Sequence, residues 1–160
     1  MNLDLTPGDL AFQAEVREFL DAELSAEVRA ATAGMTSVYA PVSLSMPWQT
    51  KLHARGWAAP AWPTQYGGTG WSQTQRTIFA RECAAAGAPP LSPMGLGMCG
   101  PVLIGHGTPA QQAHWLPRML RGEDLWCQGY SETEAGSDLA SLRMKAVRDG
   151  DEFVCTGHKL

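Results

Sequence analysis

Apolar residues recur at helical spacing over the first thirty residues of the chain. The series follows Thr6-Pro7-Gly8-Asp9, where a hydroxyl, a proline and an acidic residue take the positions they favour at a helix start. The apolar residues near helical period are Leu10, Ala14, Val16, Phe19, Leu20, Leu24 and Val28. This pattern predicts an amphipathic helix, and the Gly, Pro, Ser and Thr residues of 32–46 then predict a loop or a lid.

Two shorter helices are predicted next. One begins at Pro47 and ends at Gly56, because a glycine commonly terminates a helix. The other begins after Ser72, which has capping-box spacing with Gln75, and runs to about Ala86. The aromatic-rich segment between them contains several prolines and glycines, so it is predicted to be an ordered loop.

Two more helical segments precede the end of this region. Residues 91–105 are apolar and rich in glycine, which predicts a buried helix of close backbone approach that is broken near Pro101. Thr108 and Gln111 repeat the capping pattern, and the helix that they open is predicted to end near Gly122.

The hydrophobic period changes after Gly122. Strands are predicted for Leu125–Tyr130, Met144–Val147 and Phe153–Thr156, and the last two are joined by the hairpin signal Asp149-Gly150. The predicted fold class is therefore α+β. An all-α domain over residues 1–123 precedes the first strands of an antiparallel β domain over residues 124–160, which is incomplete.

Composition and charge exclude several classes of protein. The 160 residues are 44% hydrophobic and 18% charged, which is typical of a globular protein. The net charge is −4 and no Lys/Arg cluster occurs, so a nucleic-acid interface is not expected. No apolar run approaches the roughly 18 residues of a membrane span, and the first residues lack the features of a signal peptide. A cytoplasmic location is the expectation.

The four cysteines give no sign of a metal or redox site. Cys83, Cys99, Cys127 and Cys155 form no CxxC pair, and their neighbours are mainly apolar. They are predicted to be buried, reduced thiols.

A polar loop follows the first predicted strand and carries the candidate chemistry. Ser131 and Ser137 stand near Asp138, but no G-x-S-x-G elbow is present, so a turn is favoured over a hydrolytic triad. Glu132 is a candidate for orienting the loop, whereas Glu134 is predicted to be exposed. Composition leaves two interpretations of this loop open: an ordinary turn, or a ligand site formed by hydroxyls and backbone N–H groups.

Six motifs stand in order and at compatible spacing over nearly the whole chain. They are Gly56-Trp57; Pro60-x-Trp62-Pro63-x-x-Tyr66-Gly67-Gly68; Gly107-Thr108; Leu116-Pro117-x-x-Leu120-x-Gly122-Glu123; Ser131-Glu132-x-x-Ala135-Gly136-Ser137-Asp138-Leu139; and Gly150-Asp151-x-x-Val154-x-x-Gly157-x-Lys159. Together these motifs resemble the acyl-CoA dehydrogenase family.

The resemblance implies a fold and a reaction. Members of the family have an N-terminal helical domain, a middle β domain and a C-terminal four-helix domain, with FAD bound between them. They carry out α,β-dehydrogenation of an acyl-CoA thioester, in which a glutamate base takes the α-proton and a hydride passes to the flavin. The electrons leave to an electron-transfer flavoprotein. A role in lipid metabolism is therefore expected.

The resemblance also implies site residues. The family's flavin segment corresponds to residues 128–137, where the implied cofactor-binding residues are Gln128, Tyr130, Ser131, Gly136 and Ser137. Ser137 is also the implied substrate contact. The family's acyl pocket is lined by a helix that corresponds to Met94, Gly95 and Met98, although plain core packing explains these three residues as well.

Two departures from the family pattern affect these expectations. Thr133-Glu134 replaces the usual Pro-Gly, which puts the fine geometry of the loop in doubt. The chain is also less than half the family's usual length. The catalytic base and the Trp-x-Ser/Thr flavin contact are therefore expected outside these residues. The 160 residues alone are expected not to bind FAD tightly and not to dehydrogenate.

Two alternatives remain open at this stage. The chain could be a non-catalytic short subunit or pseudo-enzyme that acts through a partner chain. It could also belong to a related acyl-CoA oxidase or flavin monooxygenase. A homo- or hetero-oligomer is expected in each case.

Overall fold

A computed structural model of the chain describes residues 4–37 and 39–160. The chain divides into two compact units between Trp126 and Cys127. The first is helical and the second contains two antiparallel strands, so the predicted α+β class is confirmed. The finer prediction, a domain boundary at 123/124 followed by an incomplete β domain, stays a prediction.

Six α-helices and two other helical segments make up the described part of the first unit. They are α1 (Pro7–Glu23), α2 (Ala26–Thr32), α3 (Val42–Arg55), a 3₁₀ turn (Thr64–Tyr66), α4 (Gln73–Ala86), a π-helix (Met94–Cys99), α5 (Gly100–His106) and α6 (Pro109–Arg121).

The helix starts follow their capping residues. Ser72 and Thr108 each form a full capping box with the residue three positions later, as their spacing predicts. Thr6, predicted as an N-cap, forms a full capping box with Asp9 as well. A further cap at Ser25, whose hydroxyl accepts a hydrogen bond from Val28 N, begins a separate helix after α1. The apolar series from Leu10 to Val28 therefore spans two helices rather than one.

The predicted start of α3 at Pro47 is wrong, because the helix begins five residues earlier. The Pro41 carbonyl accepts hydrogen bonds from Leu44 N and Ser45 N and so closes the first turn. Pro47 lies inside the helix. The predicted loop over 32–46 is correspondingly shorter, and its residue Val38 lies outside the described residues.

The helices of the first unit enclose one hydrophobic core. Val16, Leu20 and Met119 are its most completely buried large side chains. Aromatic rings extend this core. The Trp57 ring makes edge-to-face contacts with Phe19 and with two other rings, and its centroid lies 4.8 Å from that of the Phe19 ring. The buried members are Phe12, Val16, Leu20, Leu24, Trp48, Leu52, Trp57, Ala58, Ala59, Trp62, Ile78, Leu116, Met119 and Leu120.

The second unit contains a 3₁₀ turn (Leu139–Ser141) and a hairpin of β1 (Lys145–Asp149) and β2 (Glu152–Thr156). Val147 pairs with Val154, and Gly150 has the positive φ of 62° that the tight turn requires. Every residue of both strands is exposed. Along the described residues, no helix is both long and apolar enough to cross a membrane.

The strand predicted for Leu125–Tyr130 is wrong. The structure assigns no regular secondary structure to these residues, and the Tyr130 carbonyl binds a side chain, Lys159 Nζ, at 2.9 Å. A segment with alternating apolar residues forms a strand only where a neighbouring strand supplies partners for its backbone hydrogen bonds.

Candidate functional site

Glu132 organises the polar loop of the second unit. Its carboxylate accepts hydrogen bonds from Arg143 N at 2.7 Å and Met144 N at 3.0 Å, which lie just before β1. Lys159 Nζ lies 3.0 Å from the same carboxylate. Glu132 therefore ties the loop to both ends of the hairpin, in line with its predicted role in orienting the loop.

The Lys159 ammonium group makes a second contact with the loop. It donates to the Tyr130 carbonyl at 2.9 Å, and the next backbone amide, Leu160 N, donates to Ser131 O at 3.0 Å. Residues 130–132 are thus fixed from one side by 159–160. In the sequence, Lys159 stands out only as part of a motif, because nothing in the linear spacing shows which carboxylate a lysine 27 positions away will meet.

The local environment favours an ionised Glu132. Hydrogen bonds from the backbone N–H groups of Arg143 and Met144, together with Lys159, hold the pKa of Glu132 below its usual range against the opposing effect of desolvation. The side chains of Glu132 and Lys159 are 11% and 24% exposed, so the pair is partly shielded from water. The loop therefore carries a fixed negative group beside a fixed positive one.

A tight turn closes the loop where the family pattern is altered. Glu132 N donates to Ala135 O at 2.9 Å and Ala135 N donates to Glu132 O at 3.1 Å, with Thr133 and Glu134 between them. Glu134 is exposed, as predicted, and its carboxylate pairs with Arg143 at 2.8 Å. The turn therefore closes without the usual Pro-Gly.

The predicted flavin residues are mostly accessible. The Tyr130 side chain is 62% exposed, Gln128, Gly136 and Ser137 are exposed, and Ser131 is half-buried. A Cβ built on Gly136 would meet no described atom within 4 Å, so the chain itself gives no steric reason for a glycine there. An open ring, hydroxyls and a bare backbone fit a flat, polar ligand such as a flavin. The roles of the five residues stay predictions.

The three predicted pocket residues differ in their surroundings within the first unit. Gly95 is buried, and a Cβ there would lie 2.9 Å from Trp126 Cδ1 and 3.2 Å from Met119 Cγ. Packing therefore explains this glycine. Met94 is half-buried and Met98 is 45% exposed, so Met98 presents a flexible apolar side chain at the surface. Their role in an acyl pocket stays a prediction.

The prediction for the cysteines is partly wrong. All four are free thiols, but Cys127 and Cys155 are exposed, and Cys83 and Cys99 are half-buried. Desolvation, and secondarily the nearby Glu82 charge, raise the pKa of Cys83 to about 12. No cluster of potential metal ligands is found within the described ranges.

These observations define a class before they define a family. A helical unit with a continuous core precedes a polar, glycine-containing loop and an antiparallel hairpin, which is the order that the sequence resemblance implies for the first two domains. One family model, described as the N-terminal domain of acyl-CoA dehydrogenase, matches residues 6–123. The chain belongs to the acyl-CoA dehydrogenase family.

Curated relatives are similar over nearly all of the chain. Acyl-CoA dehydrogenase IpdE1 of Mycobacterium tuberculosis is 40% identical over 152 residues, which is 93% of this chain and 40% of the relative. Acyl-CoA dehydrogenase FadE26 of the same organism is 34% identical over 160 residues, covering 100% of this chain and 40% of the relative. The chain therefore spans about two fifths of the length of these relatives.

Solved structures share the fold. A crystal structure of the ChsE4-ChsE5 complex from Mycobacterium tuberculosis superposes with a TM-score of 0.80 at 34% identity, covering 100% of this chain and 39% of that chain. A structure described as the Tcur3481-Tcur3483 steroid ACAD gives 0.82 at 34% identity, covering 100% and 41%.

Proposed function

We propose that the chain forms the N-terminal part of an FAD-dependent acyl-CoA dehydrogenase. The reaction is α,β-dehydrogenation of an acyl-CoA thioester, and the electrons pass to an electron-transfer flavoprotein. The observation that carries the proposal is the match of the family's N-terminal domain to residues 6–123. The chain supplies the helical domain and the beginning of the β domain, whereas the catalytic base lies in the remaining part of the enzyme.

The polar loop of the second unit would bind the FAD. Tyr130 and Ser131 would meet the pyrimidine side of the ring system, with Gln128 beside them, and Gly136 and Ser137 would contact flavin phosphate or the acyl-CoA. The exposure of these residues and the contacts of Glu132 support this assignment. FAD held there would supply the acceptor for the substrate hydride. Hydroxyls and backbone N–H groups at the pyrimidine side would favour the negative charge that follows.

The acyl group that fits the proposal best is a bulky steroid-type group. Two of the similar structures are described as steroid acyl-CoA dehydrogenases. Met94 and Met98 add support, because an unbranched thioether side chain adapts to a large apolar surface more readily than a branched one.

The proposal includes a second chain. Two of the similar structures are described as pairs, ChsE4 with ChsE5 and Tcur3481 with Tcur3483. A hetero-oligomer of this kind would also accommodate a non-catalytic role for the present chain, in which the partner contributes the base.

The test starts from the protein as its cells make it. A tag at the N-terminus would recover the chain with any partner, and intact mass, the ratio of FAD to chain and reduction of electron-transfer flavoprotein by steroid-type acyl-CoA would be measured. We expect bound FAD and substrate-dependent reduction. Ser131→Ala should lower flavin retention, whereas Thr133→Ala, an exposed change in the same loop, should not.

Other outcomes would change the assignment. Oxygen consumption in place of flavoprotein reduction would identify an acyl-CoA oxidase or a monooxygenase. A tagged assembly without flavin, whatever its partners, would contradict the proposal.

A further inference from the structure

The segment that leads into α5 has an unusual hydrogen-bond register. Residues Met94–Cys99 form a π-helix, and the backbone N–H of Gly100 bonds to the carbonyl of Gly95, five residues back. The chain then continues as the α-helix Gly100–His106. Single π-turns are rare and occur frequently at functional sites.

Pro101 leaves one carbonyl of this segment without a helical donor. In the π register the Leu96 carbonyl would bond to the amide of residue 101, but proline has no N–H. The amide of Gly100, which would serve in an α register, is already bonded to Gly95. The Trp62 indole supplies the missing donor, since its Nε1 lies 2.8 Å from Leu96 O. A partly buried carbonyl without a donor would destabilise the π register.

Close packing places the Trp62 ring where this bond can form. A Cβ built on Gly100 would lie 2.2 Å from Trp62 Cζ2, so only a glycine lets the ring lie against the helix. Gly68 lies similarly close to the backbone of Trp62, with 1.7 Å from a built Cβ to the Trp62 carbonyl oxygen. Trp62 itself is only 5% exposed. The two glycines therefore leave the space that Trp62 occupies, and Pro101 leaves the carbonyl to which the Trp62 ring donates.

We propose that Trp62 is a positioning residue that fixes the π register and thereby the face that Met94 and Met98 present. If Gly100 N donated to the Leu96 carbonyl instead of the Gly95 carbonyl, the preceding residues would rotate about the helix axis by one residue. That rotation is about 100° in an α-helix. Gly95 would then leave its place against Trp126 and Met119. The link to acyl recognition rests on the proposed function, whereas the register itself does not.

The test reads the register directly and needs neither flavin nor substrate. In the isotope-labelled 160-residue chain, scalar couplings across hydrogen bonds are measured by NMR. The wild type should show coupling between Gly100 N and Gly95 C′ and between Trp62 Nε1 and Leu96 C′. Trp62→Phe removes the indole N–H but keeps a ring, so the Gly100–Gly95 coupling should be lost and a Gly100–Leu96 coupling should replace it.

A matched variant distinguishes a change of hydrogen-bond register from a general loss of core packing. Trp48 is as well buried as Trp62, at 4% exposed, and Trp48→Phe should leave the Gly100–Gly95 coupling unchanged. Retention of that coupling in Trp62→Phe would overturn the proposal. Absence of the Trp62–Leu96 coupling from the wild-type spectrum would also overturn it, whether or not Trp62→Phe folds. If the proposed dehydrogenase function proved wrong, the couplings expected here would be unchanged.

Discussion

The two units of the chain are stabilised by different interactions. The helical unit encloses a core in which Val16, Leu20 and Met119 are almost inaccessible to water. In the hairpin of the second unit, Val147, Phe153 and Val154 remain 55–65% exposed, and polar contacts such as those of Glu132 and Lys159 hold the loop against the hairpin. Burial of a large apolar side chain contributes about 1.5–3 kcal/mol, whereas an isolated two-stranded hairpin is marginal in water. The first unit therefore has the means to fold by itself, and the second depends on polar contacts.

The largest effect expected from this difference is a loss of stability in the helical unit alone. Leu20→Ala removes a side chain that is 1% exposed and should lower the free energy of unfolding by about 2–5 kcal/mol, because it leaves a cavity. Val147→Ala, at a strand position that is 61% exposed, should change it by about 0.5 kcal/mol or less. All six tryptophans precede residue 127, so tryptophan fluorescence in a denaturant titration follows the first unit. Equal effects of the two substitutions would contradict the comparison.

The reactivity of the thiols should differ between the cysteines of the two units. Cys127 and Cys155 are exposed in the second unit and should react quickly with an aromatic disulfide reagent at neutral pH. Burial raises the pKa of Cys83 from 9.0 to about 12, which reduces its thiolate fraction by roughly a thousandfold, so it should react last. Desolvation also raises the pKa of Cys99, which should be slow. The time course, with mass spectrometry to assign the sites, should show two fast thiols. A rapid reaction of Cys83 would mean that the helical unit opens readily.

A smaller effect should appear on acidification, and only in the second unit. The pKa of Glu132 is lower in the folded chain than its ordinary value of 4.5, so its contribution to stability is complete above that value. The contribution is lost as the pH falls through the lower, folded pKa. Hydrogen-exchange protection of Arg143 N and Met144 N should decrease over this acidic range while that of α1 amides persists. Glu132→Gln should abolish the pH dependence, whereas Glu134→Gln should retain it.

Local chemistry in the sequence was sufficient for much of the fold. The capping boxes of Thr6, Ser72 and Thr108 mark helix starts, because a hydroxyl and a polar side chain three residues later satisfy each other's backbone N–H groups whatever lies elsewhere. Asp149-Gly150 marks the hairpin for a similar reason, since glycine reaches a positive φ without strain. Such signals involve neighbours in the chain, so they can be read from it.

Predictions that needed a distant partner were less successful. The strand at Leu125–Tyr130 fails because no backbone ladder accompanies it, and Pro47 is accommodated within a helix that begins at Val42. In the candidate site, the sequence pointed to residues 128–137 and to an orienting role for Glu132. It could not pair Glu132 with Lys159 or with the amides of Arg143 and Met144.

By itself, the sequence determined the family, the order of helices and hairpin, and the residues of the polar loop, because motifs and caps are defined by spacing along the chain. Only the tertiary structure decided that Trp62 meets the Leu96 carbonyl and that Gly95 and Gly100 are small to admit indole rings. These contacts join residues 31 or more positions apart, as with Trp126 and Gly95 or Trp62 and Leu96. Their geometry arises from packing around a shared core, which no local pattern specifies.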